Sequence, residues 1–169
     1  MNNLVLYGFE PSPPHRAVVL TLKILGLQYE CRTVDILKGE HMAPEFLKKN
    51  PQHTVPTLEY NGNFIHDSHA IIIFLVEKFG KDDSLYPKDP LKRAICNQRM
   101  FFNSGILFPT MRAITIQGNV PKAKFDAVRS GFEFLEKFLE GHLFVSGNTM
   151  TIADICCAAS AHSNTALFR

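Results

Sequence analysis

The sequence predicts an α/β unit with a mixed sheet, followed by an all-helical unit. Strand and helix patterns alternate up to residue 80 in the order β-α-β-α-β-β-α, whereas every convincing segment beyond residue 90 has helical spacing. Between them, the stretch "GKDDSLYPKDP" is charged and interrupted by prolines, as linkers are. We therefore predict an α/β domain over residues 1–80, a linker over 81–90 and a helical domain over 91–169.

The first three elements form a strand, a crossover helix and a second strand. The apolar run over residues 4–9 predicts a short buried strand. Pro13 and Pro14 suit the first turn of the helix that follows, because N–H groups there have no partner within the helix, and Gly26 stops it. Residues 29–36 alternate like a second strand. This order predicts a parallel pair.

The rest of the α/β unit contains a short helix, a hairpin and a longer helix. Residues 43–50 predict one or two helical turns. Asn61 and Gly62 lie between two alternating runs and are the residue pair that a type I′ hairpin turn requires. Residues 68–79 again have helical spacing. These elements complete the mixed sheet and the helices that cover it.

The helical unit contains three predicted helices. The first covers residues 91–112 and the second covers residues 122–139. The second has a stripe of apolar residues at helical spacing, which are Phe125, Val128, Phe132, Leu135 and Leu139. Thr151 and Asp154 have the spacing of a capping box at the start of the third helix.

Composition and charge exclude several classes of function. The formal net charge is +2 and the basic residues form no block, so we predict no nucleic-acid partner. No apolar run approaches the ~20 residues of a membrane span, and the N-terminus lacks the features of a signal peptide. Cys31, Cys96, Cys156 and Cys157 have irregular spacing that fits neither a disulfide framework nor a zinc site. We predict reduced thiols in a cytoplasmic protein.

Three polar features are predicted at one edge of the sheet. Ser12 is the natural N-cap of the first helix. Val55-Pro56 is either a cis bond beside which an extended peptide docks, or a proline in an edge-strand turn. Asp67 and Ser68 either cap the next helix or hold the charged ends of a ligand. Because ligands of such sheets bind beyond the carboxyl ends of the parallel strands, the three features together predict one site.

The histidines of "HDSH" are candidates for a metal site. His66 and His69 are near one another in the chain, but the sequence offers no third ligand. We therefore predict no metal.

Four motifs, "SPPHRAV", "GEHMAPEFLKKNPQHTVPTL", "DSHAI" and "TIADI", resemble the cytosolic glutathione S-transferases, and the epsilon class of the insect delta/epsilon type in particular. The resemblance implies a thioredoxin-like N-terminal domain, an all-helical second domain and a cytoplasmic homodimer. It also implies a transferase that conjugates glutathione, its co-substrate, to small hydrophobic electrophiles in xenobiotic detoxification. Family members continue further, so it implies a helical domain that is truncated at its C-terminus.

The resemblance assigns the catalytic role to Ser12, whose hydroxyl would donate a hydrogen bond to the glutathione sulfur. Thiolate is the nucleophile, and a hydroxyl donor and the positive end of a helix both favour it. The motif from Ser12 to His15 stands where redox relatives have Cys-x-x-Cys, which disfavours disulfide exchange.

The resemblance also implies two sets of binding residues. For glutathione, Val55 would pair with its cysteine backbone, and histidines would meet its glycine carboxylate, while the γ-glutamyl end lies at the Asp67 helix. The glutathione set is His41, His53, Thr54, Val55, Pro56, Asp67, Ser68 and His69. The electrophile set is Pro14, Phe108, Met111, Arg112 and Ile116.

Two other functions remain open. The chain is alternatively a product without turnover that binds glutathione or dimerises through the helix at residues 94–102. A glutathione-dependent isomerase that uses the same thiolate is the third possibility. An assay of turnover separates the first of these from a transferase, and a panel of substrates separates the second.

Overall fold

The computed structural model describes residues 3–115 and 121–162. The chain divides into two compact units, Met1–Lys81 and Asp82–Arg169. The first contains a four-stranded mixed sheet with helices, and the described part of the second is helical. The predicted fold class is therefore confirmed.

The N-terminal unit follows the predicted order of strands and helices. Its elements are β1 (Leu4–Gly8), α1 (Pro13–Ile24), β2 (Glu30–Thr33), α2 (Pro44–Leu47), β3 (Thr57–Tyr60), β4 (Asn63–His66) and α3 (Ser68–Phe79), with short 3-10 turns at Ile36–Lys38 and Glu40–Met42. The strand order in the sheet is β2-β1-β3-β4. The β1–β2 pair is parallel, as predicted, and the other two pairs are antiparallel.

The register brings one end of every strand to a common edge of the sheet. Gly8 at the end of β1 pairs with Thr33 at the end of β2, and Tyr7 pairs with Thr57 at the start of β3. Thr57 pairs in turn with His66 at the end of β4. We call the edge formed by Gly8, Thr33, Thr57 and His66 the C-terminal edge of the sheet.

The core of this unit forms around β1, all of whose residues are buried. Val5 and Tyr7 pack with Val34 and Phe46 on one face of the sheet. Side chains alternate along a strand, so the neighbouring residues of β1 face the opposite side. The largest fully buried side chains of α1 and α3 are Val18, Leu22, Ile71, Ile72 and Leu75. Burial on both faces explains why β1 reads as a continuous apolar run.

The hairpin between β3 and β4 has the predicted turn. Asn61 has φ 49° and Gly62 has φ 79°, so both central residues adopt the positive φ of a type I′ turn. Asparagine and glycine tolerate this region better than other residues. The Asn-Gly pair therefore determines the hairpin register.

The helical unit contains α4 (Pro90–Phe102), α5 (Phe108–Thr115), α6 (Lys122–Leu139) and α7 (Ile152–His162). The predicted long helix over residues 91–112 is helical throughout, but Asn103–Leu107 winds as a π-helix between α4 and α5, which was not predicted. Pro109 has no N–H and would crowd the carbonyl of Gly105 in a regular helix. The wider turn, in which the Phe108 N–H donates to the Asn103 carbonyl, avoids that conflict.

Helix α6 has the predicted bounds, but only part of its apolar stripe is buried. Val128, Gly131 and Leu135 are buried, whereas Phe125 and Leu139 are 42% and 37% exposed. Leu107 and Thr110 pack close to Gly131 in the middle of the helix, and the two exposed residues lie nearer its ends. Helical spacing alone therefore overestimated the buried face.

The loop before α7 is attached to that helix through Asp154. The carboxylate accepts hydrogen bonds from the Thr151 N–H at 2.8 Å and from the Thr151 hydroxyl at 3.1 Å. It also accepts one from the Val145 N–H at 2.8 Å. The predicted capping interaction is confirmed for the Asp154 side chain, which additionally holds the preceding loop.

Candidate functional site

The three predicted polar features lie at the C-terminal edge of the sheet. Ser12 follows β1, the Val55-Pro56 segment leads into β3, and Asp67 follows β4. The register places the corresponding strand ends side by side. Two helix N-termini and one loop therefore meet at this edge.

Ser12 occupies the N-cap position of α1, but its hydroxyl does not cap the helix. The backbone N–H of Ser12 donates to the Phe9 carbonyl at 2.8 Å, and its side chain makes no capping hydrogen bond. The expectation of a capping hydroxyl was wrong. Pro13 and Pro14 occupy the first two helical positions and have no N–H to donate, and the N–H of His15 at the third position makes no bond to the Ser12 side chain. The hydroxyl is thus available to a ligand.

The N-terminus of α1 also favours a negative charge. Its first turn contains no acidic residue that would neutralise the positive end of the helix dipole. A thiolate or another anion beside Ser12 would be stabilised by the hydroxyl and by the dipole together.

Tyr7 carries a second hydroxyl near the end of β1, and this one is engaged. It donates to Glu59 Oε2 at 2.8 Å and accepts from Arg32 Nη1 at 3.0 Å. The Tyr7 hydroxyl is therefore bonded to two side chains, whereas the Ser12 hydroxyl makes no capping hydrogen bond.

Asn50 holds the loop that leads into β3. Its side chain is fully buried, and Nδ2 lies within hydrogen-bond distance of the Thr54 carbonyl at 3.0 Å and the Thr57 hydroxyl at 3.0 Å. Its Oδ1 accepts from the Gln52 N–H at 2.9 Å. The sequence analysis missed this residue. An amide just before Pro51 at the start of a loop was the only local signal.

The Val55–Pro56 peptide bond is cis, the first of the two alternatives considered. Pro56 is buried, and the half-buried side chain of Val55 packs against the core cluster of Val5 and Tyr7. Thr54 is exposed. The side chain of Val55 is therefore anchored at the C-terminal edge.

His41 and His53 approach each other from different parts of the chain. Their ring centroids are 6.0 Å apart, with a 49° angle between the ring planes. His41 Nδ1 is buried without a hydrogen-bond partner, whereas His53 is exposed and has φ 47°. Two imidazoles at this separation can both donate to one carboxylate.

Asp67 caps α3 and keeps an exposed carboxylate. Its Oδ1 accepts from the backbone N–H groups of His69 at 2.9 Å and Ala70 at 3.2 Å, and the side chain is 61% exposed. The His69 side chain first, and then these backbone N–H groups, lower the pKa of Asp67 to about 2. Asp67 is therefore ionised at neutral pH. The buried Ser68 lies directly beside it.

The residues predicted for an electrophile pocket have different exposures. Pro14 and Phe108 are half-buried and Arg112 is exposed, whereas Met111 is 2% exposed. Ile116 lies outside the described residues. The pocket stays a prediction.

The described side chains include no group of three or more His, Cys, Asp or Glu residues that could hold a metal ion. Within residues 3–115 and 121–162, no helix combines the length and apolar character that crossing a membrane requires. The four cysteines form no disulfide, and of these Cys31 alone is exposed.

Known proteins match the chain over nearly all of its length. Residues 6–83 match the family model described as glutathione S-transferase, N-terminal domain. Glutathione S-transferase 1 of Manduca sexta is 46% identical over 165 residues, which cover 93% of this chain and 75% of that protein.

Two solved structures have a similar fold and similar coverage. An epsilon-class glutathione S-transferase from the housefly, Musca domestica, is 50% identical with a TM-score of 0.92, over 94% of this chain and 76% of that one. A glutathione transferase homologue from Drosophila mojavensis with bound glutathione is 44% identical with a TM-score of 0.92, over 98% of this chain and 79% of that one.

Proposed function

The chain belongs to the insect glutathione S-transferases, and we propose that it is a cytoplasmic, epsilon-class member that ionises glutathione at Ser12 and conjugates it to small hydrophobic electrophiles. The 50% identity to the epsilon-class housefly protein supports the class. The observation that supports the mechanism most directly is that the Ser12 hydroxyl, at the N-terminus of α1, makes no capping hydrogen bond. Detoxification of xenobiotics is the corresponding physiological role.

The proposed chemistry begins with the thiol of glutathione. A free cysteine thiol with a pKa of ~8.5 is mostly protonated at neutral pH, and the thiolate is the reactive form. Ser12 Oγ–H donates a hydrogen bond to the sulfur, and the thiol proton leaves to water. The thiolate then forms a C–S bond to the electrophilic carbon. In a substitution the leaving group departs with the electron pair of its bond, and in an addition water protonates the resulting carbanion.

The remaining parts of glutathione match the other features of the C-terminal edge. The backbone of Val55 would pair with the backbone of the cysteine, in the manner of an added strand. His41 and His53, whose ring centroids are 6.0 Å apart, would hold the glycine carboxylate. Thr54 and Pro56 flank Val55 and shape the same loop.

The γ-glutamyl end of glutathione would bind at α3. The ionised Asp67 carboxylate would meet the ammonium group, and Ser68 with the N-terminus of α3 would meet the carboxylate. The hydrogen bond with the His69 side chain is the largest cause of the lowered pKa of Asp67. On the helical unit, Phe108 and Arg112 are the proposed contacts for the electrophile, with Met111 buried beside them on α5.

The first experiment measures conjugation by the purified 169-residue chain. Glutathione and a chromogenic aryl halide are the substrates, and calorimetry with glutathione alone measures binding. We expect binding and turnover. A folded sample that binds glutathione without conjugating any member of an electrophile panel would contradict the transferase proposal and favour the binding product.

A further inference from the structure

The side chain of His15 lies against the end of β1. His15 is the third residue of α1 and is only 4% exposed. Its ring occupies the space beside Gly8, because an ideal Cβ built on Gly8 would overlap its Nδ1 and Cε1 atoms. The φ of Gly8 lies outside the left-handed region, so the backbone itself would accept a larger residue. Gly8 is therefore required by the ring of His15.

The Nδ1 atom of the buried imidazole has no hydrogen-bond partner. Burial lowers the pKa of His15, the Glu10 carboxylate opposes this shift and the Arg16 guanidinium adds to it, so the ring is neutral at physiological pH. An unpartnered buried polar atom costs free energy. The ring is thus placed by its shape, between a strand end and a helix end.

Backbone hydrogen bonds fix both the end of β1 and the turn before α1. The Gly8 carbonyl accepts from the Val34 N–H at 2.8 Å, which ties Gly8 to the strand next to it. The Ser12 N–H donates to the Phe9 carbonyl at 2.8 Å, which closes the turn before α1. His15 is the third residue of the helix that Ser12 begins, so its ring contacts the end of β1 within one helical turn of Ser12.

We propose that His15 is a positioning residue whose imidazole, seated on Gly8, sets the spacing between the end of β1 and the N-terminus of α1 and so aims the Ser12 hydroxyl at the glutathione sulfur. This inference rests on the proposed role of Ser12. A methyl group on Gly8 would push the ring and the start of α1 away from the strand. A small residue at position 15 would leave a void into which the helix end settles.

The test is a double-mutant cycle with Gly8→Ala, His15→Ala and the double variant. Gly8→Ala is expected to lower kcat/KM roughly 10- to 100-fold, because small displacements of a catalytic group have effects of this size. In the His15→Ala background, Gly8→Ala is expected to change kcat/KM by less than about 3-fold, because the imidazole that the added methyl group would overlap is absent. Equal effects of Gly8→Ala in both backgrounds would overturn the proposal.

Gly105→Ala is the matched control. No atom lies within 4 Å of an ideal Cβ on Gly105, and its φ is not in the left-handed region. We expect its kcat/KM to match that of the unmodified chain. A loss as large as that of Gly8→Ala would mean that any added methyl group impairs this protein, and would overturn the specific role of His15.

A second readout separates positioning from general support of the fold. The apparent pKa of the bound glutathione thiol is measured by thiolate absorbance in the binary complex across a pH series. His15→Ala is expected to raise this pKa by about one pH unit, because the Ser12 hydrogen bond that favours the thiolate is misaligned. Glutathione affinity should change by less than about 3-fold, since the other contacts remain. A lower melting temperature with an unchanged thiol pKa would overturn the proposal.

The outcomes for the unmodified chain keep the two proposals apart. If it binds glutathione without turnover, the transferase proposal fails, and the thiol pKa in the binary complex still decides the role of His15. If it does not bind glutathione, both proposals are overturned. If His15→Ala does not fold, the smaller side chain of His15→Asn leaves part of the ring's space beside Gly8 empty, and a thiol pKa equal to that of the unmodified chain then counts against the proposal.

Discussion

The serine hydroxyl that the proposed chemistry uses makes no capping hydrogen bond in this structure. A serine at an N-cap normally accepts a hydrogen bond from the N–H of the second or third helical residue. Pro13 and Pro14 leave the third residue as the first with an N–H, and Ser12 makes no capping bond. A ligand can therefore take the hydroxyl without breaking a native hydrogen bond.

Removing this hydroxyl should impair activity and spare the fold. Ser12→Ala is expected to lower kcat/KM for conjugation by about 10- to 100-fold, because one donor to a developing or stable anion is lost. The free energy of unfolding should change by less than about 1 kcal/mol, because no capping bond exists to be lost. Steady-state kinetics and urea denaturation measure the two quantities. Full activity in this variant would remove Ser12 from the mechanism.

Tyr7→Phe is the matched control, since it deletes the other hydroxyl near the end of β1. The Tyr7 hydroxyl is bonded to Glu59 and Arg32, so we expect an unchanged kcat/KM and a loss of about 1 kcal/mol in stability. A loss of activity similar to that of Ser12→Ala would show that the assay responds to general disturbance of β1.

The charge of Asp67 gives a pH prediction. The folded pKa of Asp67 is about 2, below its ordinary value of about 3.9, so the group stabilises the fold above about pH 4 and loses this contribution as the pH falls towards 2. The side chain is 61% exposed, and solvent screening keeps the contribution below about 1 kcal/mol. In the pH range of an assay, Asp67 is always charged.

Asp67→Asn tests the proposed contact with the ammonium group. Asparagine caps helices well and tolerates the φ of 72° found here, so the fold should persist. We expect the KM for glutathione to rise roughly 10-fold, which corresponds to the loss of a charged hydrogen bond. Because Asp67 is charged throughout this range, the rise should be the same at all pH values between about 6 and 8. An unchanged KM would contradict the ammonium contact. Ala70→Ser, next to it on the exposed surface, should leave KM unchanged.

Elements with strong local signals could be predicted from the sequence, and those that depend on packing could not. The bounds of α3 and α6 matched because Asp67 and the helical spacing are local features. The π-helical stretch Asn103–Leu107 was missed, because spacing does not distinguish a wide helical turn from a regular one. Asn50 was missed because its three acceptors come together only after the loop folds.

In the candidate site too, some features could be predicted from the sequence and others depend on side-chain packing. The parallel pair and the hairpin were readable from the pattern of elements, so the placement of Ser12 and Asp67 at one sheet edge could be anticipated, whereas the strand order was not predicted. The approach of His41 to His53 and the contact of His15 with Gly8 arise from side-chain packing between elements. No periodicity encodes these contacts.

Asp154 is expected to stabilise the helical unit more than an ordinary surface carboxylate does. It accepts hydrogen bonds from two backbone N–H groups and one hydroxyl at 2.8–3.1 Å. Asp154→Ala should lower the free energy of unfolding by about 2–4 kcal/mol, because these donors lose a charged acceptor. Asp126→Ala, which removes an exposed ion pair with Lys122, should cost at most about 0.5 kcal/mol. Equal costs in urea denaturation would contradict this role.

At the scale of the whole molecule, α4 has an exposed stripe that suits contact with a second copy. Leu91, Ala94, Gln98 and Phe101 follow helical spacing and are all exposed, with Leu91 at 70% and Phe101 at 72%. Exposed phenylalanine is unfavourable in water, and aromatic residues are common anchors of interfaces. Ala94, Gln98 and Phe101 lie in the helix at residues 94–102 that was predicted to form dimer contacts in the product without turnover, and the family resemblance implies a homodimer.

We therefore expect the chain to sediment as a homodimer, and Phe101→Glu to convert it to a monomer. A glutamate in the centre of a desolvated interface would lose its hydration without gaining a partner. The unpaired buried charge would destabilise the dimer relative to the monomer. Leu143→Glu is the matched control, because Leu143 is 76% exposed in the loop after α6 and lies off the stripe. Analytical ultracentrifugation decides the result. A monomeric unmodified chain would contradict the dimer, and a dimeric Phe101→Glu variant would move the interface away from α4.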